Sequence, residues 1–170
     1  MKKLLNEAVE ITKELGNVIF IGALATFVYT KSGRDSQDLD FVLENPVTDE
    51  ELIEKGYRKS LTGKQPWFTP RGFKIDIYAG DIPGVSHDAI VKYATAFQVR
   101  KKGTIRVIGL EPLVVAKHKA SRDQDIDDLG NIAQSKLKEI KWDVIEDITN
   151  DSFLVVNIRR DMEFLSKSVG

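Results

Sequence analysis

The stretch that decides the fold is residues 18–43, which reads VIFIGALATFVYTKSGRDSQDLDFVL. Its first four residues form a continuous apolar run, which is typical of a buried strand. Gly22 follows directly and permits a tight turn, and residues 23–31 carry their large apolar side chains on one helical face. Residues 38–43 place apolar side chains on alternate positions, which predicts a second strand. The stretch therefore predicts a strand, a turn, a helix, a polar loop and a strand.

Two aspartates lie at the start of the second predicted strand. Asp38 and Asp40 are two positions apart, so their side chains point to the same face of that strand. Asp76 has the same setting in residues 73–78, an alternating run that predicts a further strand. If the two strands are neighbours, three carboxylates meet, and they repel one another unless a cation or a proton intervenes. Hard oxygen ligands suit Mg²⁺ or Mn²⁺, so these three aspartates form a candidate metal site for phosphoryl chemistry.

Apolar periodicity and capping residues predict the remaining elements. Thr48 and Glu51 match a capping box at the start of a short helix. One further strand is expected at residues 104–108, and residues 57–72 are expected to be rich in turns. Helices are expected at residues 4–15, 88–97, 112–120 and 123–135, with two more helical segments between residues 142 and 166. The predicted fold class is α/β (α+β), a mixed sheet flanked by helices with further helices at the C-terminus.

Composition excludes several classes of site. The chain has 170 residues with 25 basic and 26 acidic side chains, so any contact with nucleic acid has to come from a local patch. It has no cysteine, which excludes disulfides, zinc–thiolate sites and a thiol nucleophile. No signal peptide and no apolar run long enough to span a membrane is expected, so the predicted location is the cytoplasm.

These residues resemble the nucleotidyltransferase superfamily of the polymerase-beta type. Its signature is an apolar strand, Gly-Gly or Gly-Ser, a helix, Asp-x-Asp on a strand, and a third aspartate on a later strand. Gly22-Ala23, Asp38-Leu39-Asp40 and Asp76 stand at these positions. Residues 34–40, 113–117 and 122–129 are more similar to a branch that includes the toxins of AbiE-type systems. The resemblance implies a single nucleotidyltransferase-like domain over residues 1–170, with a core at about 17–133 and a helical extension at about 136–168.

The resemblance also implies roles for individual residues. Asp38 and Asp40 are expected to hold Mg²⁺ or Mn²⁺, and Asp76 to help hold the ion that activates an acceptor hydroxyl. Gly22 and Ala23 are expected to bind the phosphates of the nucleotide, although Ala23 stands where the family has a second Gly or Ser. Ser36 and Lys117 complete the expected nucleotide-binding set.

Simpler structural interpretations apply to several of these residues. Lys117 has an equally weighted alternative as a solvated helix lysine, and Ser36 is more often a turn residue. Arg122, Asp125 and Asp128 are more simply explained as a pairing network on one helix. Trp67 and Phe68 could stack on a base, among Arg58, Lys59, Lys64 and Arg71, but covering a core edge is the favoured interpretation.

Three functions remain open from the sequence. The first is an enzyme that moves a nucleoside monophosphate from a nucleoside triphosphate such as ATP to an acceptor hydroxyl, with release of pyrophosphate. The second is a catalytically silent module that binds a nucleotide or RNA. The third is the toxin half of a toxin–antitoxin pair, with an antitoxin as its partner. The intact set of three carboxylates favours the enzyme. No recognisable motif identifies the acceptor, which could be RNA, a protein or a small molecule. None indicates the oligomeric state either.

Overall fold

The computed structural model describes residues 1–62 and 66–168, and these build one mixed sheet with helices packed on it. The strands are β1 (Val18–Ile21), β2 (Leu39–Leu43), β3 (Arg58–Lys59), β4 (Trp67–Phe68), β5 (Lys74–Tyr78), β6 (Thr95–Val99) and β7 (Gly103–Val107). The helices are α1 (Lys2–Leu15), α2 (Gly22–Thr30), α3 (Asp49–Glu54), α4 (His87–Lys92), α5 (Leu110–Ala120), α6 (Asp123–Lys136), α7 (Trp142–Thr149) and α8 (Ser152–Lys167). The predicted α/β class is therefore confirmed.

The sheet places β2 at its centre. The strand order is β3-β4-β5-β2-β1-β7-β6. β2 runs antiparallel to β1 and parallel to β5, while β1 runs parallel to β7. The last residue of β1, Ile21, pairs with Asp40 near the start of β2, and Asp40 pairs on its other side with Asp76 of β5. The end of β1, the start of β2 and the middle of β5 thus meet at one part of the sheet.

Apolar side chains anchor these central strands. All four residues of β1 are buried, as are four of the five residues of β2. Phe20 of β1 meets Phe41 of β2 edge to face, with ring centroids 5.6 Å apart, a favourable geometry for an aromatic pair. The predicted strands at residues 18–21 and 38–43 are therefore confirmed, except that Asp38 precedes β2 instead of lying within it.

Two regions differ from the sequence-based prediction. The helix expected at residues 88–97 ends at Lys92, and residues 95–97 instead enter β6, which pairs antiparallel with β7. Residues 57–72, expected to be turns, contain β3 and β4, which pair with each other and extend the sheet beyond β5. Cross-strand pairing decides both cases, and strands of two residues are too short to show a period. Lys64 lies outside the described residues.

The C-terminal helices pack on the helical layer. α8 contacts α6 and α7, and buries Ile158 and Met162 completely. The two helical segments predicted around Asn150 are confirmed, because Asn150 ends α7 in a left-handed conformation and Asp151 caps α8. The division into a core at about 17–133 and an extension at about 136–168 stays a prediction. Among the helices of the described residues, none has the length and apolarity needed to cross a membrane.

A buried ionic cluster joins α5 to α6. The Lys117 ammonium donates to Asp125 at 3.1 Å and to Asp128 at 2.6 Å, and all three residues are at most 5% exposed. Burial acts to raise the pKa of Asp125, but hydrogen bonds from Arg122 and Lys117 hold it below its usual value. The network that the sequence predicted on one helix therefore extends to a lysine on the preceding helix.

Lys117→Met is expected to lower the free energy of unfolding by about 3–5 kcal/mol, because it leaves a buried carboxylate without its cation. Urea denaturation at neutral pH measures the change. Lys119→Met is the matched control, since Lys119 lies exposed on the same helix and should alter stability little. Equal, small effects of both substitutions would mean that the cluster contributes no net stability through the lysine.

Candidate functional site

Asp40 and Asp76 lie side by side on neighbouring strands. β2 and β5 pair in parallel, and Asp40 stands opposite Asp76 in their register. The residues on either side, Leu39 with Ile75 and Phe41 with Ile77, form the adjacent pairs. Since alternate side chains point to opposite faces, the apolar residues anchor one face of the sheet and leave both carboxylates on the other. The strands that carry Asp40 and Asp76 are thus neighbours, which was the condition for their carboxylates to meet.

The surroundings of Asp40 are unfavourable to its negative charge. Burial, followed by the charges of Asp76 and Asp38, raises the pKa of Asp40 from 3.8 to about 6. Removal of a carboxylate from water disfavours its ionised form, and neighbouring anions add to that effect. The site therefore holds more negative charge than its protein neighbours neutralise near neutral pH.

Asp38 is placed differently from the other two aspartates. Its Oδ2 lies 3.4 Å from the Lys74 ammonium, and its side chain is 42% exposed. In residues 1–62 and 66–168, no group of three or more His, Cys, Asp or Glu side chains has the arrangement of a metal site. The metal-binding role of Asp38, Asp40 and Asp76 therefore stays a prediction, in which Asp40 and Asp76 form the close pair.

Gly22 lies against this pair. Its φ of +67° is in the left-handed region that favours glycine, and a Cβ built on it would lie 2.5 Å from Asp40 Oδ2. Gly22 begins α2 directly after β1, so free backbone N–H groups at the start of α2 lie close to the carboxylates. A helix N-terminus of this kind attracts phosphate. Ala23 follows in the first turn and is buried.

A cavity of about 350 Å³ opens beside Asp40 and Gly22. Most of its wall is apolar, and Tyr78, Lys117 and Arg122 supply its other polar groups. Burial, and then the charges of Asp40 and Asp76, raise the pKa of the Tyr78 phenol. The cavity is lined by Ile21, Gly22, Asp40, Tyr78, Ile82, Pro83, Ile108, Leu113, Ala116, Lys117, Ala120 and Arg122. An apolar pocket with a few polar groups at one end is the usual form of a small-molecule site.

The other predicted site residues have distinct surroundings. The Ser36 hydroxyl donates to the Asp38 carbonyl at 3.2 Å, a contact that shapes the turn before β2. Lys117 lines the cavity, but its ammonium is already bound to Asp125 and Asp128. Lys117 is therefore not a solvated helix lysine, and its contact with a nucleotide stays a prediction.

Two cavity residues were absent from the sequence-based set. Tyr78 lies two positions after Asp76 on β5, so the strand periodicity that selected Asp76 also places Tyr78 on the same face. Arg122 precedes α6 and pairs with Asp125 at 2.7 Å, so its sequence pattern indicated only the structural pairing. The apolar loop residues Ile82 and Pro83 carried no recognisable signal.

Solved structures with this architecture are known. One is a protein of H. pylori provisionally described as a nucleotidyltransferase, with a TM-score of 0.54 and 12% identity over 98% of this chain and 93% of that chain. Another is JHP933 from Helicobacter pylori, with a TM-score of 0.54 and 13% identity over 98% of this chain and 90% of that one. The chain has a nucleotidyltransferase-like fold. No protein-family model and no curated protein matches the sequence.

The charge of Asp40 should make stability depend on pH. Its pKa is about 6 in the folded protein and near 3.8 unfolded, so the folded state binds more protons between these values and stability falls as pH rises through them. This difference corresponds to about 3 kcal/mol at most. Asp40→Asn should therefore raise the free energy of unfolding by about 1–3 kcal/mol at pH 8 and leave it almost unchanged at pH 4.

Urea denaturation in EDTA at the two pH values measures the effect. Asp38→Asn is the control, because that side chain is more exposed and pairs with Lys74. It should change stability by less than about 1 kcal/mol. If Asp40→Asn is the less stable protein at pH 8, the carboxylate has a structural hydrogen-bonding role that its surroundings do not reveal.

Proposed function

We propose that this protein is a metal-dependent nucleotidyltransferase. It transfers a nucleoside monophosphate from a nucleoside triphosphate such as ATP to an acceptor hydroxyl and releases pyrophosphate. The observation that carries the proposal is the register of β2 and β5, which sets Asp40 beside Asp76, with Gly22 and the start of α2 against them. The fold shared with the H. pylori structures supports the same class.

The residues at this place fit a divalent cation. Asp40 and Asp76 supply hard carboxylate oxygens, which are the ligands that Mg²⁺ and Mn²⁺ prefer. Their surroundings also leave an excess of negative charge, as the raised pKa of Asp40 indicates. Asp38 directly precedes β2, close enough for its charge to raise the pKa of Asp40, and is the third candidate ligand. Such an ion, when bound, neutralises phosphate charge and makes an acceptor hydroxyl easier to ionise.

The protein's own groups account for substrate binding. Backbone N–H groups at the start of α2 hold the phosphates. Because Gly22 has no side chain, the phosphates can approach Asp40. The largely apolar cavity beside Gly22 receives the nucleoside, with Tyr78 and Arg122 as its polar contacts. Lys117 contributes indirectly, because its pairing with Asp125 and Asp128 fixes the wall that α5 and α6 provide.

The reaction balances with these groups. The acceptor oxygen attacks the α-phosphorus and forms a new P–O bond, while the bond to the bridging oxygen breaks and pyrophosphate leaves. The hydroxyl proton passes to a carboxylate of the Asp40–Asp76 pair. The likeness to the AbiE-type branch and an antitoxin partner stay predictions from the sequence.

Binding of nucleotide and metal is testable without knowledge of the acceptor. At least one of the four ribonucleoside triphosphates, added with Mn²⁺, should raise the melting temperature, because a ligand that binds the folded state stabilises it. The double variant Asp40→Asn/Asp76→Asn should lose the shift. Asp127→Asn/Asp143→Asn, which alters two exposed carboxylates that do not line the cavity, is the matched control and should retain it. A full shift in the double variant would contradict the assignment of the pair.

Gly22→Ala tests the phosphate-binding turn. The new Cβ meets Asp40 Oδ2, and the alanine has to adopt the positive φ of Gly22. A loss of stability of about 1–2 kcal/mol is therefore expected. The folded variant should lose at least about tenfold in nucleotide affinity, or roughly 1.4 kcal/mol, measured by calorimetric titration. Gly16→Ala is the control, because its φ of +81° is similar to that of Gly22 but no atom lies within 4 Å of a Cβ there. Undiminished affinity in folded Gly22→Ala would mean that the turn does not contact the phosphates.

A further inference from the structure

Three adjoining grooves lead away from Asp38. The first is lined by Asp38, Lys74, Phe68, Arg71, Phe73 and Lys3. It shares Lys3, Arg71 and Phe73 with a second groove, which also contains Lys102. The second shares Asn6 and Lys102 with a third, a pocket of about 510 Å³ between α1, the end of α2 and the β6–β7 hairpin. We call these three grooves together the basic track.

Cations dominate the basic track. Lys2, Lys3, Lys31, Arg100 and Lys102 are exposed, and in the part of the chain that the structure describes none of them forms an ion pair. The acidic residues of the second groove, Glu7 and Glu10, are each paired, with Arg71 at 2.8 Å and with Lys13 at 3.2 Å. The track is therefore positive, most of all in its third groove, which holds four of these five cations, although the whole chain has a net charge of −1.

Aromatic rings accompany these cations. Phe97 and Phe27 line the third groove, and the Lys31 ammonium lies 4.4 Å from the centre of the Phe97 ring. Phe68 and Phe73 line the first groove and are partly exposed. Trp67, by contrast, is buried, so the interpretation that it covers a core edge is confirmed. Cations that alternate with accessible rings are typical of surfaces that bind single-stranded nucleic acid, in which lysine and arginine bind phosphates and bases stack on the rings.

We propose that the basic track binds single-stranded RNA and leads its end to the carboxylates at Asp38. Charge complementarity selects a polyanion, and the accessible rings favour a strand whose bases are unstacked. RNA supplies most free single strands with terminal hydroxyls in a cell, since DNA is held mainly as duplex. An acidic peptide would satisfy the cations but would make no use of the rings. That RNA is also the acceptor rests on the proposed function, whereas RNA binding by the track does not.

The binding test needs neither metal nor nucleotide. Fluorescence anisotropy in EDTA measures the affinity of the whole protein for a labelled single-stranded RNA of about 12 nucleotides, within the usual site size. Lys31→Glu/Arg100→Glu/Lys102→Glu should weaken binding at least about 30-fold at low salt. The slope of log affinity against log salt should fall by about 2, as expected for three lost phosphate contacts. Replacement of the same three residues by Ala should give a smaller loss in the same direction.

The matched control carries the same change of charge elsewhere. Lys138→Glu/Lys141→Glu/Lys167→Glu alters three exposed lysines that do not line the track and should weaken binding less than about threefold. Equal losses in both triple variants would overturn the proposal, since binding would then follow net charge alone. So would equal affinity for duplex RNA of the same sequence, or equally strong competition by polyglutamate.

Nucleotide binding separates this proposal from the proposed function. The triple track variant should keep the Mn²⁺–nucleotide melting shift of the unaltered protein, because the track lies outside the cavity beside Gly22. If the natural protein binds nucleotide but no RNA, the track proposal is wrong and the proposed function is untouched. If it binds RNA through the track but no nucleotide, the RNA site stands and the acceptor role fails with the proposed function.

Discussion

The structure has to hold two carboxylates side by side on neighbouring parallel strands, and the centre of the sheet is arranged around that constraint. The repulsion and burial of Asp40 correspond to about 3 kcal/mol at neutral pH. The opposite face of the same strands buries Leu39, Phe41 and Ile75 completely. Each such side chain contributes roughly 1.5–3 kcal/mol on burial, so the apolar face more than offsets the acidic one. The apolar face of β2 therefore stabilises the sheet, while its other face carries Asp40, whose charge is unfavourable.

The elements that the sequence predicted well are those whose burial leaves a clear pattern, either a periodic apolar face or a continuous apolar run. β1, α2 and β2 are of this kind, because each buries one whole face or all of its side chains. β6 was mistaken for the end of a helix, since its burial alternates weakly at the edge of the sheet and only its pairing with β7 identifies it. Pairing between strands leaves no signal in the periodicity of a single short strand, and this accounts for β3 and β4 as well.

The candidate site shows the same boundary between what sequence can and cannot predict. Spacing predicted that Asp38 and Asp40 share a face of one strand, but it could not fix where β2 begins or its register against β5. The register sets Asp40 against Asp76 and brings Asp38 next to Lys74. Lys117 is a comparable case, because helical spacing placed it correctly whereas its two acidic partners belong to the following helix. Long-range contacts, and not residue types, separate the close carboxylate pair from the third aspartate.

The arrangement of the two aspartates on β2 bears on how two substrates could meet. Asp40 lines the cavity beside Gly22, whereas Asp38, two positions earlier in the chain, lines the first groove of the basic track. Phosphoryl transfer places the attacking and leaving oxygens roughly in line, on opposite sides of phosphorus. A triphosphate bound at the start of α2 would receive an acceptor from another direction if that acceptor entered past Asp38. The proposed nucleotide and RNA sites therefore approach the carboxylate row from different ends, as an in-line transfer requires.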